Sequence, residues 1–164
     1  MANEKSPPTS RKKKVMFTGF GVFLSFVLAF VVLFYANFQT VQVKGESMEP
    51  TFLSGQRLLI TRAYWMVGGI KKNDIIVMKK PDTGETIIKR VYAMPGETVD
   101  FFNVPENWSL AKGEYKVPSD SFFVLGDNRP VSEDSRFFGP VRADLVTGKV
   151  IRAELGSGSA QASQ

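Results

Sequence analysis

The stretch TIIKRVY at residues 86–92 is rich in β-branched residues, and turn-forming sequences flank it on both sides. PDTG precedes it at residues 81–84, and PGE follows it at residues 95–97. Valine, isoleucine, threonine and tyrosine are enriched in strands, whereas glycine, proline and aspartate favour turns. The stretch therefore predicts a β-strand between two turns.

Other short apolar segments before and after residues 86–92 have the same character. Each is separated from the next by a turn sequence that contains glycine, proline, asparagine, aspartate or serine. We expect strands at residues 40–44, 57–62, 75–78, 98–102, 122–125 and 148–152. Residues 63–69 are apolar but end in two glycines, which is more typical of a loop. Short strands at regular spacing predict a mainly β domain.

One long apolar run, at residues 15–36, directly follows the basic cluster RKKK at residues 11–14. About 22 helical residues at a rise of 1.5 Å each match the hydrocarbon core of a bilayer, which is about 30 Å thick. A cleavable signal peptide is the alternative, but its apolar region is shorter and ends in small residues. This run instead ends in FYANFQ at residues 34–39, so we predict a retained transmembrane helix.

These patterns divide the chain into four parts. We predict a basic cytoplasmic tail at residues 1–14, a transmembrane anchor at 15–37, an extracytoplasmic β-domain at 38–155 and a flexible tail at 156–164. Within the β-domain, the turn-rich residues 103–121 are expected to form a small accessory lobe. The chain is then a single-pass protein of the plasma membrane, with the lipid bilayer as one partner.

The positive charge of the chain is concentrated at its beginning. The formal net charge is +5, and residues 1–14 contribute five basic residues against one acidic residue. The β-domain is therefore close to neutral, which argues against nucleic-acid binding. The absence of cysteine excludes a disulfide scaffold, a thiolate nucleophile and a sulfur-ligated metal. We expect no nucleic-acid partner, no metal and no cofactor.

A candidate nucleophile lies in the sequence GESMEPT at residues 45–51, shortly after the apolar run. Here Ser47 is surrounded by small and turn-forming residues. A serine hydroxyl is a weak nucleophile until a base takes its proton, and that base is most often histidine. The chain contains no histidine and no cysteine. Any base for Ser47 must be a lysine, a carboxylate or the α-amine.

Lys89 is a candidate base because it lies in the predicted strand at residues 86–92. Strand alternation places it on the face opposite Ile88 and Arg90. A lysine has an ordinary pKa of about 10.4, so a working base near neutral pH needs a pKa lowered by more than about 3 units. Burial among apolar side chains can lower the pKa that far. The alternative is an ordinary lysine that faces solvent.

The polar sequence GDNRPVSEDSR at residues 126–136 follows a predicted strand directly, as active-site loops often do. Ser132 could hydrogen-bond and orient a neutral lysine amine. Asp134 and Arg136 are two residues apart and could form a bidentate pair that stiffens the loop. An ordinary surface turn is the alternative.

Four motifs together resemble those of type I signal peptidases, which are membrane-anchored Ser–Lys endopeptidases. They are SMEPT at residues 47–51, NDIIV at 73–77, KRVYAMPGE at 89–97 and GDNRPVSEDSR at 126–136. The resemblance extends from the apolar run to about Lys149. It implies a single N-terminal transmembrane helix followed by a β-domain like that of signal peptidases and SOS repressors.

The resemblance also implies roles for five residues. Ser47 is the expected nucleophile and Lys89 the expected general base. Ser132 is expected to position the lysine, and Asp134 and Arg136 to support the loop.

The chain departs from the family pattern in a few places. Ala93 stands where the family usually has glycine, and Glu97 stands where it usually has aspartate. Some members carry a serine two residues before the nucleophile, whose hydroxyl helps to form the oxyanion hole, but this chain has Gly45 there. We therefore expect an oxyanion hole of backbone N–H groups at Ser47 and Gly45.

The activity implied by the resemblance is the removal of N-terminal signal peptides from exported preproteins after Ala-x-Ala motifs. Preprotein signal peptides are the expected partners, with the protein-export machinery as a further one. Two alternatives remain open. Self-cleaving SOS repressors share the dyad and a similar β fold, but they are soluble. A membrane-tethered binding module or a catalytically inactive relative is the non-enzymatic alternative.

Overall fold

A computed structural model describes residues 10–153 of the chain, without the side chains of residues 10–18, 110 and 152–153. The predictions for residues 1–9 and 156–164 lie outside this part. The chain divides after Asn37 into two units, which are taken one at a time.

The first unit contains the helix α1, Ser10–Asn37. It begins before the predicted start at residue 15, because arginine and lysine in the basic cluster favour helix as well as most apolar residues do. Within it, Gly19–Asn37 is long and apolar enough to cross a membrane, by length and composition. Its 19 residues span about 28 Å at 1.5 Å per residue.

The second unit is built from nine strands within the described residues. They are β1 Phe38–Gln42, β2 Arg57–Thr61, β3 Ile75–Lys79, β4 Thr86–Ala93, β5 Thr98–Val99, β6 Tyr115–Lys116, β7 Ser121–Leu125, β8 Val141–Arg142 and β9 Val146–Ala153. Seven form one sheet in the order β1-β2-β9-β3-β4-β7-β8, and every neighbouring pair is antiparallel. Strands β5 and β6 form a separate two-stranded sheet. The prediction of a mainly β fold behind one apolar helix is confirmed.

Several details differ from the predictions. Strand β1 lies at Phe38–Gln42 and not at residues 40–44, and β6 and β8 were not predicted. The strand expected at residues 98–102 ends at Val99, because the Asp100 side chain accepts the Phe102 N–H and turns the chain. The expected loop at 63–69 contains a single 3₁₀ turn, Tyr64–Val67. The expected loop at 126–136 ends in a short helix, α2, Ser135–Phe138.

Strand β7 is buried along its whole length because both faces of the sheet are covered there. Phe122 and Val124 pack on one face with Val91 of β4. Phe123 and Leu125 pack on the other face. A strand buried along its whole length holds its carboxyl end in a fixed place, and the candidate loop begins at that end.

Candidate active site

The turn that carries Ser47 is anchored by apolar side chains on either side of it. Gly45 adopts a φ of 82°, a conformation that glycine accepts at little cost, and it reverses the chain after β1. Met48 and Phe52 are buried in a cluster with Leu58 of β2. Ser47 itself is partly exposed. The turn therefore presents a serine at the surface on a fixed backbone.

Lys89 lies in β4 and is 3% exposed, so it does not face solvent. It stands opposite Ile76 of β3. On the other side of β4, Arg90 pairs with Leu125 of β7. Continuing that antiparallel register by one residue places Gly126 beside Lys89. Lys89 is thus held between β3 and the start of the candidate loop.

Burial lowers the pKa of Lys89 from its ordinary value, because the charged amine loses solvation in the sheet. The carboxylates of Asp134 and Glu133 oppose this shift, and the cations Arg136 and Lys80 add to it. Burial is the largest of these effects. Among the described residues, Lys89 forms no ion pair that would hold its proton.

Ser47 and Lys89 line two adjoining cavities together. The first, of about 290 Å³, lies between the end of β1 and the start of β4. The second, of about 340 Å³, is lined by both residues and by Gly45, Glu46, Lys80, Glu85, Ile87, Val131 and Glu133. We call these the strand cavity and the loop cavity. The structure therefore brings the two predicted dyad residues to one cleft.

Gly126 is packed against the Ser132 side chain and the backbone of Ser47. A Cβ atom added at Gly126 would lie 2.1 Å from Ser132 Oγ and 2.6 Å from the Ser47 carbonyl oxygen, so only glycine fits there. The Asn128 N–H donates to the same carbonyl at 3.0 Å. Ser132 is 3% exposed, and its Oγ has no hydrogen-bond partner of ordinary geometry among residues 10–153. It does interact with the Asp134 carboxylate, because the Ser132 hydroxyl helps to lower the pKa of Asp134.

Asp134 and Arg136 form a bidentate ion pair, with Nε–Oδ1 and Nη2–Oδ2 distances of 2.8 and 3.0 Å. Asp134 is fully buried and also accepts the Gly126 N–H at 3.0 Å, while Arg136 donates to the Arg129 carbonyl at 2.8 Å. Burial alone would raise the pKa of Asp134, but the Arg136 guanidinium and these N–H donors outweigh it and the pKa is lowered. The pair ties both ends of the loop together.

Sequence reasoning missed a second ion pair that supports the site. Arg90 donates from Nε and Nη2 to the two carboxylate oxygens of Asp127, at 2.8 and 2.6 Å. Arg90 Nη1 donates to the Asn73 carbonyl at 2.9 Å. Arg90 directly follows Lys89, and Asp127 directly follows Gly126. Both residues belong to the quoted motifs, KRVYAMPGE and GDNRPVSEDSR, and this was the available signal.

Comparison with known proteins places the chain in a family. The family model described as "Signal peptidase, peptidase S26" matches residues 16–104 and 102–153. Signal peptidase IB of Staphylococcus aureus strain COL is 30% identical over 77% of this chain and 84% of that protein. Signal peptidase I V of Bacillus subtilis strain 168 is 35% identical over 73% of this chain and 87% of that protein. A crystal structure of a signal peptidase I from Enterococcus faecalis V583 is 30% identical and covers 50% of this chain and 97% of that one, with a TM-score of 0.41.

The family match and these relatives define the class of protein: the chain is a peptidase, and therefore a hydrolase. More specifically, it belongs to the signal peptidases of peptidase S26. The resemblance drawn from the four motifs is thereby confirmed, and the repressor alternative is not supported.

Proposed function

We propose that this signal peptidase is a membrane-anchored serine endopeptidase that uses Ser47 as nucleophile and Lys89 as general base. The observation that carries the proposal is the state of Lys89: the residue is 3% exposed, its amine forms no ion pair among the described residues, and it lines the same two cavities as the partly exposed Ser47. Lys80 also lines the loop cavity, but its amine is ion-paired to Glu133 at 2.8 Å and is not available as a base.

The reaction is an acyl transfer in two steps. Neutral Lys89 removes the proton from Ser47 Oγ as that oxygen attacks the scissile carbonyl. The lysine ammonium then donates its proton to the leaving amine, and an acyl-enzyme ester forms on Ser47. Water, deprotonated by Lys89 in the same way, hydrolyses the ester and restores both groups.

The proposed role of Ser132 is to orient the Lys89 amine. Among the described residues, the buried Ser132 hydroxyl makes no hydrogen bond of ordinary geometry, although it does interact with the Asp134 carboxylate. A buried hydroxyl in this position has lost its hydrogen bonds to water. Register places Gly126 beside Lys89, and Ser132 Oγ is packed against Gly126. An amine turned toward this hydroxyl would satisfy it. Asp134 and Arg136 act indirectly, by fixing the loop that carries Ser132.

The oxyanion of the tetrahedral intermediate is proposed to accept hydrogen bonds from backbone N–H groups at Ser47 and Gly45. Among residues 38–153, no backbone carbonyl accepts a hydrogen bond from either N–H. Donors that are fixed in place and unused in the free enzyme can stabilise developing charge without reorganisation. The anchored turn around Ser47 meets that condition.

The strand cavity is the proposed site for the residues before the cleaved bond. It lies between residues 41–44 at the end of β1 and residues 86–89 at the start of β4, so an extended peptide can bind alongside backbone. The preference for alanine before the cleaved bond is proposed because the motifs place the chain among the signal peptidases, and the strand cavity is the site proposed to bind these side chains.

Membrane anchoring is proposed from the apolar segment Gly19–Asn37, with the basic cluster on the cytoplasmic side and residues 38–155 outside. The β-domain also carries exposed aromatic and apolar side chains at Trp65, Met66, Phe101 and Phe102. Such residues favour the bilayer interface, and we propose that they contact it. Anchoring keeps the cleft near emerging signal peptides.

The specificity is tested with a preprotein that carries Ala-x-Ala before the cleavage site. We expect cleavage after the second alanine, measured by mass spectrometry of both products. Changing that alanine to leucine should lower kcat/KM by about 100-fold or more, because an overpacked cleft displaces the carbonyl from Ser47. Changing the middle residue to leucine is the matched control and should have little effect. Equal cleavage of all three substrates would contradict the proposed specificity.

A further inference from the structure

Lys80, directly after β3, is nearly buried and makes two ion pairs. Its side chain is 10% exposed, and its Nζ lies 2.8 Å from Glu133 Oε2 and 3.4 Å from Asp82 Oδ2. The hydrogen bond with Glu133 raises the pKa of Lys80, so the amine stays charged over the working pH range. Neither Lys80 nor Glu133 belongs to the Ser47–Lys89 machinery described above.

The Lys80–Glu133 ion pair lies in the same cleft as the proposed dyad. Lys80, Glu133, Ser47 and Lys89 all line the loop cavity. Glu133 lies between Ser132 and the buried Asp134 in the sequence, yet its own side chain is 70% exposed. The Glu133 carboxylate is therefore free to turn, and it lines the same cavity as the proposed base.

Charged groups approach Lys89 from several elements. They are Lys44 after β1, Glu46 in the Ser47 turn, Lys80 after β3, Glu85 before β4, and Glu133, Asp134 and Arg136 in the loop. Asp134 is held by Arg136 and by the Gly126 N–H. Glu133 has Lys80 as its one ion-pair partner among the described residues. Apart from Lys80, the one cationic side chain among the described residues that line the loop cavity is that of Lys89. Without Lys80, protonated Lys89 is therefore the cation in this cavity that could pair with Glu133.

We infer that Lys80 is a positioning residue whose ion pair holds the Glu133 carboxylate away from the Lys89 amine. A carboxylate paired to Lys89 would keep the lysine protonated and unable to accept the serine proton. Lys80 competes for that carboxylate and leaves the base free. The inference rests on the proposed role of Lys89.

The test is the pH dependence of kcat/KM for an Ala-x-Ala peptide in Lys80→Met, Glu133→Gln and the double variant. Activity rises with pH as the base loses its proton, and Lys80→Met should move this rise to higher pH by about one unit. Below the rise, activity then falls about tenfold. Glu133→Gln should move the rise slightly to lower pH. The double variant should resemble Glu133→Gln, because the Glu133 carboxylate is no longer there to turn toward Lys89.

Lys149→Met is the matched control, because Lys149 is also nearly buried and pairs with Asp74 at 2.6 Å, but lies outside both cavities. It should lower the Tm without moving the pH profile. A Lys80→Met profile that coincides with the wild type overturns the inference. If Lys80→Met does not fold, the comparison of Glu133→Gln with the double variant still decides. If activity in the double variant rises at a much higher pH than in Glu133→Gln, Lys80 acts through its own charge and the inference is wrong.

Failure of this inference is distinguishable from failure of the proposed function. If Lys89→Ala retains activity, Lys89 is not the base and the proposed function fails. If Lys89→Ala is inactive but the Lys80→Met profile is unshifted, the Ser47–Lys89 assignment stands and only the positioning role of Lys80 is refuted.

Discussion

Replacing Ser47 with alanine is expected to lower kcat for preprotein cleavage by about 10³–10⁶-fold, because the acyl-enzyme can no longer form. The fold should be unaffected. The Ser47 side chain is partly exposed, and the turn is anchored by Met48 and Phe52 instead. We expect a free energy of unfolding within about 0.5 kcal/mol of the wild type. Product formation by mass spectrometry and thermal unfolding measure the two effects.

The matched control is Ser54→Ala, which removes an exposed serine hydroxyl from the next turn. It should cleave at the wild-type rate. A Ser47→Ala enzyme with more than a few per cent of wild-type activity would assign the nucleophile to another residue.

Replacing Lys89 with methionine is expected to abolish cleavage and, at the same time, to stabilise the protein. Methionine has a similar length, fills the same space in β4 and has no charge to desolvate. Burial is the main cause of the lowered pKa of Lys89, so removing the amine should add roughly 1–2 kcal/mol to the free energy of unfolding near neutral pH. Cleavage assays and thermal unfolding of the full chain in detergent test both effects.

The sign of the pH dependence follows from linkage. A lysine whose pKa is lowered on folding binds fewer protons in the folded state than in the unfolded state. Wild-type stability should therefore rise with pH between the lowered pKa and the ordinary value of about 10.4. The advantage of Lys89→Met should be largest below this window and shrink across it. As a contrast, Lys149→Met removes a paired amine and should destabilise the protein. Loss of stability in Lys89→Met would contradict a desolvated base.

Much of the fold could be predicted because its signals are local. Composition predicts the strand at residues 86–92, and the length of the apolar run predicts the helix. The early end of β5 depends on one hydrogen bond from the Asp100 side chain, which no alternation pattern shows. The insertion of β9 between β2 and β3 is a long-range pairing that periodicity does not encode.

The candidate site divides in the same way. Motif order singled out Ser47, Lys89 and the loop, but it left the burial of Lys89 open, since a strand lysine can face either side. The Arg90–Asp127 and Lys80–Glu133 pairs join residues 37 and 53 positions apart. They become visible only when the register of β3, β4 and β7 is known.

The central claim is that the Lys89 amine is neutral enough at working pH to act as the base for Ser47. The most direct measurement is an NMR titration of the full chain in detergent with ¹³C-labelled lysine. The Lys89 signal is assigned by its loss in Lys89→Met. We predict that the Lys89 signal has a titration midpoint well below the ordinary value of about 10.4. A Lys89 signal that titrates near that ordinary value would contradict the claim.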